Sequence, residues 1–473
     1  MKRAVIISYF FPPDGGAGTQ RAAKFCKYLP EYGWEATVVT RDPAATRDRM
    51  VPADAALLRD IGRDTRVIRV AEEPRLSPWA AALPRIDVGY TWLEPALAAA
   101  KAQIASWGPD VVLITMSPFS LAFLGWRLQQ ETRVPVVYDL RDPWALDGWR
   151  LHGTRRRWRR DLAVMKDTLK AADAVIANTP EAAQAIAKAV PSLSPQRLTC
   201  ITNGYDAEDF ASPEPARPDP REAPHFRLVH TGTLLTDCLY VYCGPLGWLK
   251  RLKHYRPEPI DTSGRTPFHL LRAIAILRAR GHPCGSRVRV QLVGGDDPQT
   301  QRCVRESPAP DCVELTGYVS HPESVRYARQ ADALFLPLHG LPPGYRSLIV
   351  PGKTYEYLAT RRPILGCLPP GHARDLVERS GRGFCAEPCD AANIAHALAD
   401  LFDTWRSGRL KAAEDADFLN RLERRTLTRH LAAFLDQLAP AKAEPASDHS
   451  PAVIAHHAPG HLPESRSVSC NRT

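Results

Sequence analysis

The stretch AVIISYFFPPDGGAGTQRAAKF, residues 4–25, places an apolar run, a glycine-rich turn and a helical pattern in immediate succession. Residues 4–10 are apolar enough for a strand that is buried on both faces of a sheet. From Ala22 to Leu29 the apolar residues recur at helical spacing, which predicts a helix over residues 18–32. A buried strand followed by a helix is the unit of parallel α/β sheets, so this stretch sets the fold class.

The same unit recurs through the first half of the chain. Short apolar runs alternate with helical patterns, which predicts a parallel sheet covered by helices on both faces. The predicted strands are residues 4–10, 35–40, 110–115, 134–140, 172–179 and 198–204. The stretch 206–224 then holds five prolines and few apolar residues, which is typical of a linker between domains.

The second half repeats the pattern of the first. Its predicted strands are residues 226–232, 287–295, 312–319, 331–338 and 363–368. Its predicted helices are residues 267–281, a helix that starts near Lys353, residues 391–406, and a last amphipathic helix over 415–438. Residues 236–264 are long for a strand-to-helix connection, so we interpret them as an insert, partly helical at 246–254.

These patterns predict an α/β protein with two Rossmann-like parallel-sheet domains that face a cleft. The C-terminal helix is expected to pack back toward the N-terminal domain. The predicted parts are an N-terminal domain 1–205, a linker 206–225, a C-terminal domain 226–410, a C-terminal helix 411–438 and a disordered tail 439–473.

Composition narrows the partners and the compartment. The 62 Lys and Arg residues exceed the 52 Asp and Glu residues by ten, which favours an anionic partner: nucleic acid, a phosphorylated ligand or an acidic membrane face. The eleven cysteines show neither metal-binding spacing nor a disulfide framework, which indicates reduced thiols in a cytoplasmic protein. The N-terminal apolar run is too short for a signal peptide, and no apolar run is long enough to span a membrane.

The loops after the strands are the places to look for ligand-binding residues, because parallel sheets bind ligands at their carboxyl ends. Gly15, Gly16 and Gly18 follow the first strand, where they allow a tight turn and a close approach to a ligand. Ser117 follows a neighbouring strand in TMSPFS, residues 115–120. The alternative for the glycine loop is a plain turn between a strand and a helix.

A charged cluster follows the strand at 134–140. In YDLRDPW, Asp139, Arg141 and Asp142 alternate in sign, an arrangement that keeps a carboxylate ionised and can orient a hydroxyl group. The alternative is a salt-bridged loop without a catalytic role.

VPGKTYEYLATRRPILG, residues 350–366, places Lys353 and Glu356 three residues apart at a helix start that follows Gly352. A helix start suits an anion, so a lysine there adds to a positive field. The alternative is an exposed ion pair of little consequence. Glycine turns at VHTGT (229–233) and LVGG (292–295) bring Gly232, Thr233 and Gly294 to strand ends.

Taken in order, the glycine-rich loop, YDLRDPW, ADAVIANT, ITNGYDAEDF, HTGT, LVGG and PGKTYEYLATRRPILG resemble family 4 glycosyltransferases of the GT-B fold. The bacterial branch with the motif P-x-K-x-x-E-Y-x-A is the most similar. The resemblance covers residues 1–438 apart from the insert. It implies a retaining transferase of the hexosyltransferase type, with a nucleotide-sugar donor on the C-terminal domain and the acceptor on the N-terminal domain.

The resemblance also assigns roles to residues. It implies that Glu356 holds the nucleotide ribose and that Lys353 meets the diphosphate. Arg265 is the nearest candidate for a second phosphate-binding cation, because the insert follows Thr233. Arg141 and Asp142 match acceptor-side positions and are the predicted catalytic residues. Leu348 stands where many members carry a glutamate that contacts the donor sugar, so the sugar is not implied.

The expected donor-binding residues are Lys353, Glu356, Arg265, Gly232, Thr233, Gly294 and Gly352, and those of the acceptor or phosphate loop are Gly15, Gly16, Gly18, Asp139 and Ser117. No metal or other cofactor is expected. The basic and aromatic stretches 149–166 and 246–256 suggest peripheral contact with an anionic membrane and a glycan or lipid-linked acceptor at its cytoplasmic face. Three alternatives stay open: a sugar-nucleotide epimerase of the same fold, a basic nucleic-acid-binding protein, and a degenerate member whose insert blocks the cleft.

Overall fold

The computed structural model describes residues 1–45, 52–62, 65–213, 219–234, 236, 254–410 and 416–439. Residues Met1–Ala439 form one compact unit with two parallel sheets. None of the helices in the described part of the chain is long and apolar enough to cross a bilayer. Every cysteine that the structure describes has a free thiol.

The N-terminal sheet has seven parallel strands in the order β3-β2-β1-β4-β5-β6-β7. These are β1 Lys2–Ser8, β2 Trp34–Arg41, β3 Arg66–Val70, β4 Val111–Met116, β5 Val136–Leu140, β6 Ala174–Ala177 and β7 Leu198–Cys200. The helices are α1 Ala17–Tyr28, α2 Pro78–Ala82, α3 Tyr90–Trp107, α4 Leu121–Glu131, α5 Arg155–Ala171 and α6 Pro180–Ala189. The strand order reverses between β1 and β4, and such a reversal opens a crevice at the carboxyl ends of the strands.

The C-terminal sheet has six parallel strands in the order β10-β9-β8-β11-β12-β13. These are β8 Phe226–Thr231, β9 Val288–Val293, β10 Val313–Gly317, β11 Ala333–Pro337, β12 Ile364–Cys367 and β13 Gly383–Ala386. The helices are α7 Phe268–Ala279, α8 Pro283–Arg287, α9 Pro298–Arg305, α10 His321–Gln330, α11 Lys353–Ala359, α12 His372–Arg379 and α13 Ala391–Arg406. The expectation of two Rossmann-like parallel-sheet domains is confirmed.

In the described residues after α13 there are two helices, although the sequence predicts one helix over 415–438. They are α14 Ala416–Arg421 and α15 Arg424–Asp436. The chain between them bonds to Tyr205 instead of continuing a helix: the carbonyl of Leu422 accepts from the Tyr205 amide at 3.1 Å, and the Arg424 amide donates back to the Tyr205 carbonyl at 2.8 Å. Tertiary backbone pairing therefore overrides the helical pattern at this point.

The last helix, α15, completes the core of the N-terminal domain. Leu427, Leu431 and Leu435 on α15 belong to one buried cluster with Ala22 and Phe25 of α1. The predicted return of the C-terminal helix to the N-terminal domain is therefore present. As a consequence, residues at the start of α15 lie beside the cleft between the sheets.

Two smaller differences have local causes. The first helix ends at Tyr28 and continues as a 3₁₀ turn over Leu29–Tyr32, because Pro30 has no amide hydrogen for a helical bond. The edge strands β3 and β13 were not predicted, since each is short and neither is fully buried.

Side chains also bridge the two domains across the cleft. The hydroxyl of Thr179 on the N-terminal side donates to the carbonyl oxygen of Leu348 at 2.7 Å. Arg346 of the C-terminal domain pairs with Glu181 of the N-terminal domain at 2.8 Å. These two contacts therefore join the domains across the cleft.

Candidate functional site

A cavity of about 400 Å³ lies in the cleft between the two sheets. Its walls contain these residues selected from the sequence: Gly16, Gly232, Thr233, Gly294, Gly352, Lys353 and Glu356. A more open pocket of about 560 Å³ lies elsewhere, near Val134 and Asp173 at the amino ends of β5 and β6, and contains none of them. The cleft cavity is therefore the candidate site.

Two glycine turns form one side of the cavity. Gly232 follows β8 with φ 93°, and Gly294 follows β9 with φ 104°, a backbone region that disfavours other residues. A Cβ on Gly294 would lie 3.1 Å from the backbone of Gly232, and a Cβ on Gly232 would lie 2.9 Å from the Nζ of Lys353. Because both residues are glycines, the turns after β8 and β9 pack against each other and the Nζ of Lys353 lies against Gly232.

Lys353, the first residue of α11, is held by a buried histidine. Its Nζ lies 3.0 Å from Nε2 of His230, whose Nδ1 lies 2.9 Å from the carbonyl oxygen of Phe335. Because a carbonyl oxygen can only accept, Nδ1 carries the proton and Nε2 accepts from Lys353. Burial and the charge of Arg265 lower the pKa of Lys353 to about 7, while burial and Lys353 hold the pKa of His230 well below its usual range.

Glu356, one turn further along α11, pairs with a second histidine. Its Oε1 lies 2.9 Å from Nε2 of His321. Burial works against both charges, yet their hydrogen bond and attraction raise the pKa of His321 and lower that of Glu356. The contact therefore favours the ionised forms of both groups, an imidazolium beside a carboxylate.

His321 also connects the two domains. Its backbone amide donates to Oδ2 of Asp54 in the N-terminal domain at 2.8 Å. It begins α10, where Ser320 and Glu323 form a capping box that fixes the helix start. The position of His321, the partner of Glu356, thus depends on a contact with the N-terminal domain.

The glycine-rich loop after β1 reaches the cavity through Gly16 alone of its three selected glycines. The amide of Gly15 donates to the carbonyl of Pro52 at 2.7 Å. A Cβ on Gly18 would lie 1.7 Å from Nη1 of Arg141, so this glycine makes room for the arginine. The structure thereby brings Arg141 against the loop, although Arg141 does not line the cavity.

Asp139 lies away from the cavity. Its carboxylate is fully buried and pairs with Arg21 of α1 at 2.7 Å. Arg21 also donates to the carbonyl oxygens of Thr202 at 2.9 Å and Ile201 at 2.8 Å. For Asp139 the geometry matches the salt-bridge alternative, because all of these contacts tie α1 to β5 and to the chain after β7.

The other selected residues of the N-terminal domain do not line the cavity. Asp142 is half-buried in the loop after β5, and its charge acts with burial to raise the pKa of Asp147 to about 7. Ser117 is half-buried after β4 and has φ 122°. Burial lowers the pKa of Arg141, and the charge of the adjacent Asp142 opposes that shift.

Arg265 lies at the end of the insert and is close enough to Lys353 to lower its pKa. Its guanidinium carbon stands 4.7 Å from the ring of Trp149 in the N-terminal domain. Nearby, Tyr255 and His152 exchange backbone hydrogen bonds of 2.9 and 2.6 Å. The described part of the insert therefore packs on the N-terminal domain beside the cavity. The predicted helix at 246–254 falls outside the described residues except for its last position.

The cavity walls also contain residues that were not selected from the sequence, among them Asp54, Asn203, His321 and Arg424. Each comes from a segment other than α11; Asn203 stood in the quoted ITNGYDAEDF, but no residue of that motif was selected. His230, which lies behind Lys353, stood in the quoted VHTGT, but only its glycine and final threonine were selected. The signal available there was a polar residue in an apolar run, two positions before Gly232. No group of three potential metal ligands occurs among the residues that the structure describes.

Comparisons with known proteins agree with this architecture. Residues 15–209 match the family model of Glycosyltransferase Family 4, and residues 267–404 match that of Glycosyl transferases group 1. A comparison with curated proteins finds no significant match.

Solved structures share the fold at low identity. A sucrose-phosphate synthase from Thermosynechococcus elongatus is 19% identical with a TM-score of 0.63, and the match covers 93% of this chain and 99% of that one. A glycosyltransferase from Rickettsia africae is 11% identical with a TM-score of 0.56 and the same coverage. The lipopolysaccharide outer core galactosyltransferase WaaB is 12% identical with a TM-score of 0.55, over 92% of this chain and 99% of that one.

Proposed function

Because the chain is a glycosyltransferase with the GT-B fold, built from a Family 4 domain and a group 1 domain, we propose that it transfers a sugar with retention of configuration. The donor is a nucleotide-sugar, and the acceptor is a hydroxyl of a glycan or lipid-linked molecule. The observation that carries the proposal is the placement of Lys353 and Glu356 on one cavity wall, above the stacked turns of Gly232 and Gly294.

The donor diphosphate is assigned to the end of the cavity at Lys353. The amine is partly buried, lies next to Arg265, and has a neutral histidine instead of a carboxylate as its hydrogen-bond partner. Such a cation gains strongly from a bound anion, because burial has removed water and the charge of Glu356 offsets the burial of Lys353 only in part. Gly232, Thr233 and Gly294 leave room for the phosphates, and Glu356 is left to hold the ribose.

Transfer breaks the bond between the anomeric carbon and the diphosphate oxygen and forms a bond to the acceptor oxygen on the same face of the sugar. Lys353 and Arg265 stabilise the charge that develops on the leaving diphosphate, so the reaction is proposed to need no metal ion. The acceptor hydroxyl approaches from the side of Arg141 and Asp142, where a carboxylate can take its proton. The contacts that join the two domains limit the access of water, which would otherwise consume the donor.

The acceptor is proposed to be presented at the cytoplasmic face of a membrane, in the synthesis of a cell-surface polysaccharide or glycolipid. The start of α5 carries exposed arginines at positions 155, 156, 157, 159 and 160. Leu151 beside them is 45% exposed. A basic surface with an exposed apolar side chain suits anionic lipid. Trp149 and Trp158, which the sequence suggested for this contact, instead pack against Arg265 and Tyr255.

Donor binding is tested by thermal shift with UDP-, GDP-, ADP- and dTDP-sugars. One nucleotide series should raise the melting temperature of the wild type, because a ligand far above its Kd stabilises by a few kcal/mol. Lys353→Met and Glu356→Gln should lose the shift, whereas Lys188→Met, at an exposed lysine on α6, should keep it. If no nucleotide-sugar shifts the wild type, the proposed function is wrong.

Product analysis separates transfer from the alternatives. With donor and a candidate acceptor, NMR of the product should show the anomeric configuration of the donor sugar, and EDTA should leave the rate unchanged. An epimerase would convert the nucleotide-sugar in the absence of any acceptor. A nucleic-acid-binding protein would bind DNA or RNA with a steep dependence on salt.

Membrane contact has its own test. Wild-type protein should sediment with phosphatidylglycerol vesicles and not with phosphatidylcholine vesicles, and Arg156→Glu/Arg160→Glu should stay in solution. If wild type and variant sediment equally with the anionic vesicles, α5 does not form the membrane contact.

A further inference from the structure

Arg424 is a buried cation that lines the cavity and forms no ion pair with the residues that the structure describes. It is the first residue of α15, and only 3% of its surface is exposed. Within the described part of the chain, its guanidinium makes one side-chain hydrogen bond, from Nη1 to Oδ1 of Asn203 at 3.5 Å, the outer limit for such a contact. Among the described residues, no carboxylate lies within 4.0 Å of its guanidinium nitrogens.

A guanidinium has five N–H donors, and burying it without an anion is costly. Arg21, a neighbour in the same region, shows the usual solution: its charge is matched by Asp139 at 2.7 Å. For Arg424, burial and the charge of Arg21 instead lower the pKa to about 10. Glu356 and Asp206 oppose this effect only from beyond ion-pair distance. Besides Lys353, which the sequence motif identifies, the cavity wall therefore contains a second cation, Arg424, that no sequence motif identified.

We propose that Arg424 binds the diphosphate of the donor from the N-terminal side of the cavity, while Lys353 binds it from the C-terminal side. This assignment rests on the proposed function, since it deepens the same site. It follows from two placements: both side chains line one cavity, and α15 is fixed to the core of the N-terminal domain. A diphosphate held by both cations ties the two domains together, so donor binding and closure of the cleft become one event.

The chain offers a matched control. Arg425 is the next residue on α15, but it is exposed and pairs with Glu31 at 3.1 Å. We would measure Kd by calorimetry for UDP, GDP, ADP and dTDP and for the corresponding nucleosides, with wild type, Arg424→Gln and Arg425→Gln. For the diphosphate that the wild type binds, Arg424→Gln should weaken binding about 10- to 100-fold, as expected for a charged hydrogen-bond donor.

Nucleoside affinity separates the two roles of Arg424. A residue that only supported the shape of the cavity would affect nucleoside binding as well, whereas a phosphate-binding residue would not. Arg424→Gln should bind the nucleoside within about twofold of wild type, and Arg425→Gln should match wild type for both ligands. The melting temperature without ligand should not fall in Arg424→Gln, because the variant removes an unmatched buried charge. If Arg424→Gln fails to fold, Arg424→Lys takes its place, with binding of the diphosphate weakened about 3- to 10-fold and the nucleoside unaffected.

The possible failures are distinguishable. If the wild type binds no nucleoside diphosphate, the proposed function and the role of Arg424 both fall. If the wild type binds one and the Arg424 variants bind it equally well, only the role of Arg424 is overturned. An equal loss for diphosphate and nucleoside also overturns it, because the residue would then support the cavity and not the phosphate.

Discussion

The Nζ of Lys353 lies 3.0 Å from Nε2 of His230, an imidazole that is almost fully buried and whose other nitrogen is engaged by the Phe335 carbonyl. This contact fixes the direction of the lysine without neutralising its charge. A carboxylate in the place of His230 would have satisfied the amine and competed with a phosphate ligand. The pair therefore supports an anion-binding role for Lys353.

We expect donor affinity to fall as the pH rises above about 7. Burial and Arg265 place the pKa of Lys353 near 7 in the free protein, with Glu356 and the neutral His230 as its other close neighbours. A bound diphosphate raises that pKa, so binding takes up a proton above pH 7 and Kd increases by up to about tenfold per pH unit. Calorimetry with a nucleotide-sugar between pH 6.5 and 9 measures this slope.

Lys353→Arg provides the control for the pH experiment. Its guanidinium stays charged throughout the range, so its Kd should vary little with pH. Parallel curves for the two proteins would show that a different group titrates.

Gly232→Ala should damage both stability and donor binding. A Cβ there would lie 2.9 Å from the Nζ of Lys353, and φ is 93°. Gly408 has φ 68° with nothing within 4 Å of its Cβ position, so Gly408→Ala carries the backbone strain alone. Urea denaturation should show a loss of about 1 kcal/mol in the free energy of unfolding for both variants. Only Gly232→Ala should weaken donor binding, and equal binding by both variants would contradict the contact with Lys353.

Glu356→Gln should lower the pKa of His321. In the wild type, the hydrogen bond and charge of Glu356 overcome the burial that would otherwise lower this pKa. Without the carboxylate, burial dominates and the pKa should fall below about 6.5, the value of an unperturbed histidine. NMR titration of selectively labelled histidines measures it, with His321→Gln to assign the signal. An unchanged pKa would mean that the 2.9 Å pair does not persist in solution.

Asp139→Ala should lower the free energy of unfolding by about 3–5 kcal/mol, because it leaves the charge of Arg21 buried and unpaired. The double variant Arg21→Met/Asp139→Leu should lose less. As a control, Glu306→Ala breaks an exposed ion pair with Arg302. It should change the free energy of unfolding by less than about 0.5 kcal/mol. Urea denaturation compares the three, and a stable but inactive Asp139→Ala would instead support the acceptor-loop role predicted from the sequence.

The sequence predicts best where the relevant residues are neighbours along the chain. The buried strands appear as apolar runs, and Lys353 and Glu356 share one turn of a helix, so both could be found without a structure. His321 and Arg424 could not, because only tertiary packing brings them to α11. Asp139 shows the reverse problem: a charged residue at a strand end resembles a site residue until its partner on α1 is known.

The same reason explains the missed break in the last helix. The pattern over 415–438 is helical, but the backbone of Tyr205 takes the hydrogen bonds at Leu422 and Arg424. Periodicity describes what a segment prefers alone and does not include a competing backbone segment that follows β7, far earlier in the sequence.

The contribution of Leu427, Leu431 and Leu435 to the N-terminal core constrains how the protein is made. On the ribosome, the first domain emerges long before these leucines are synthesised, so part of its apolar surface near Phe25 stays uncovered during translation of the second domain. Cutting the chain in the linker would leave the same surface exposed. The two sheets thus belong to one compact unit, and the last helix is the element that completes the core of the first domain.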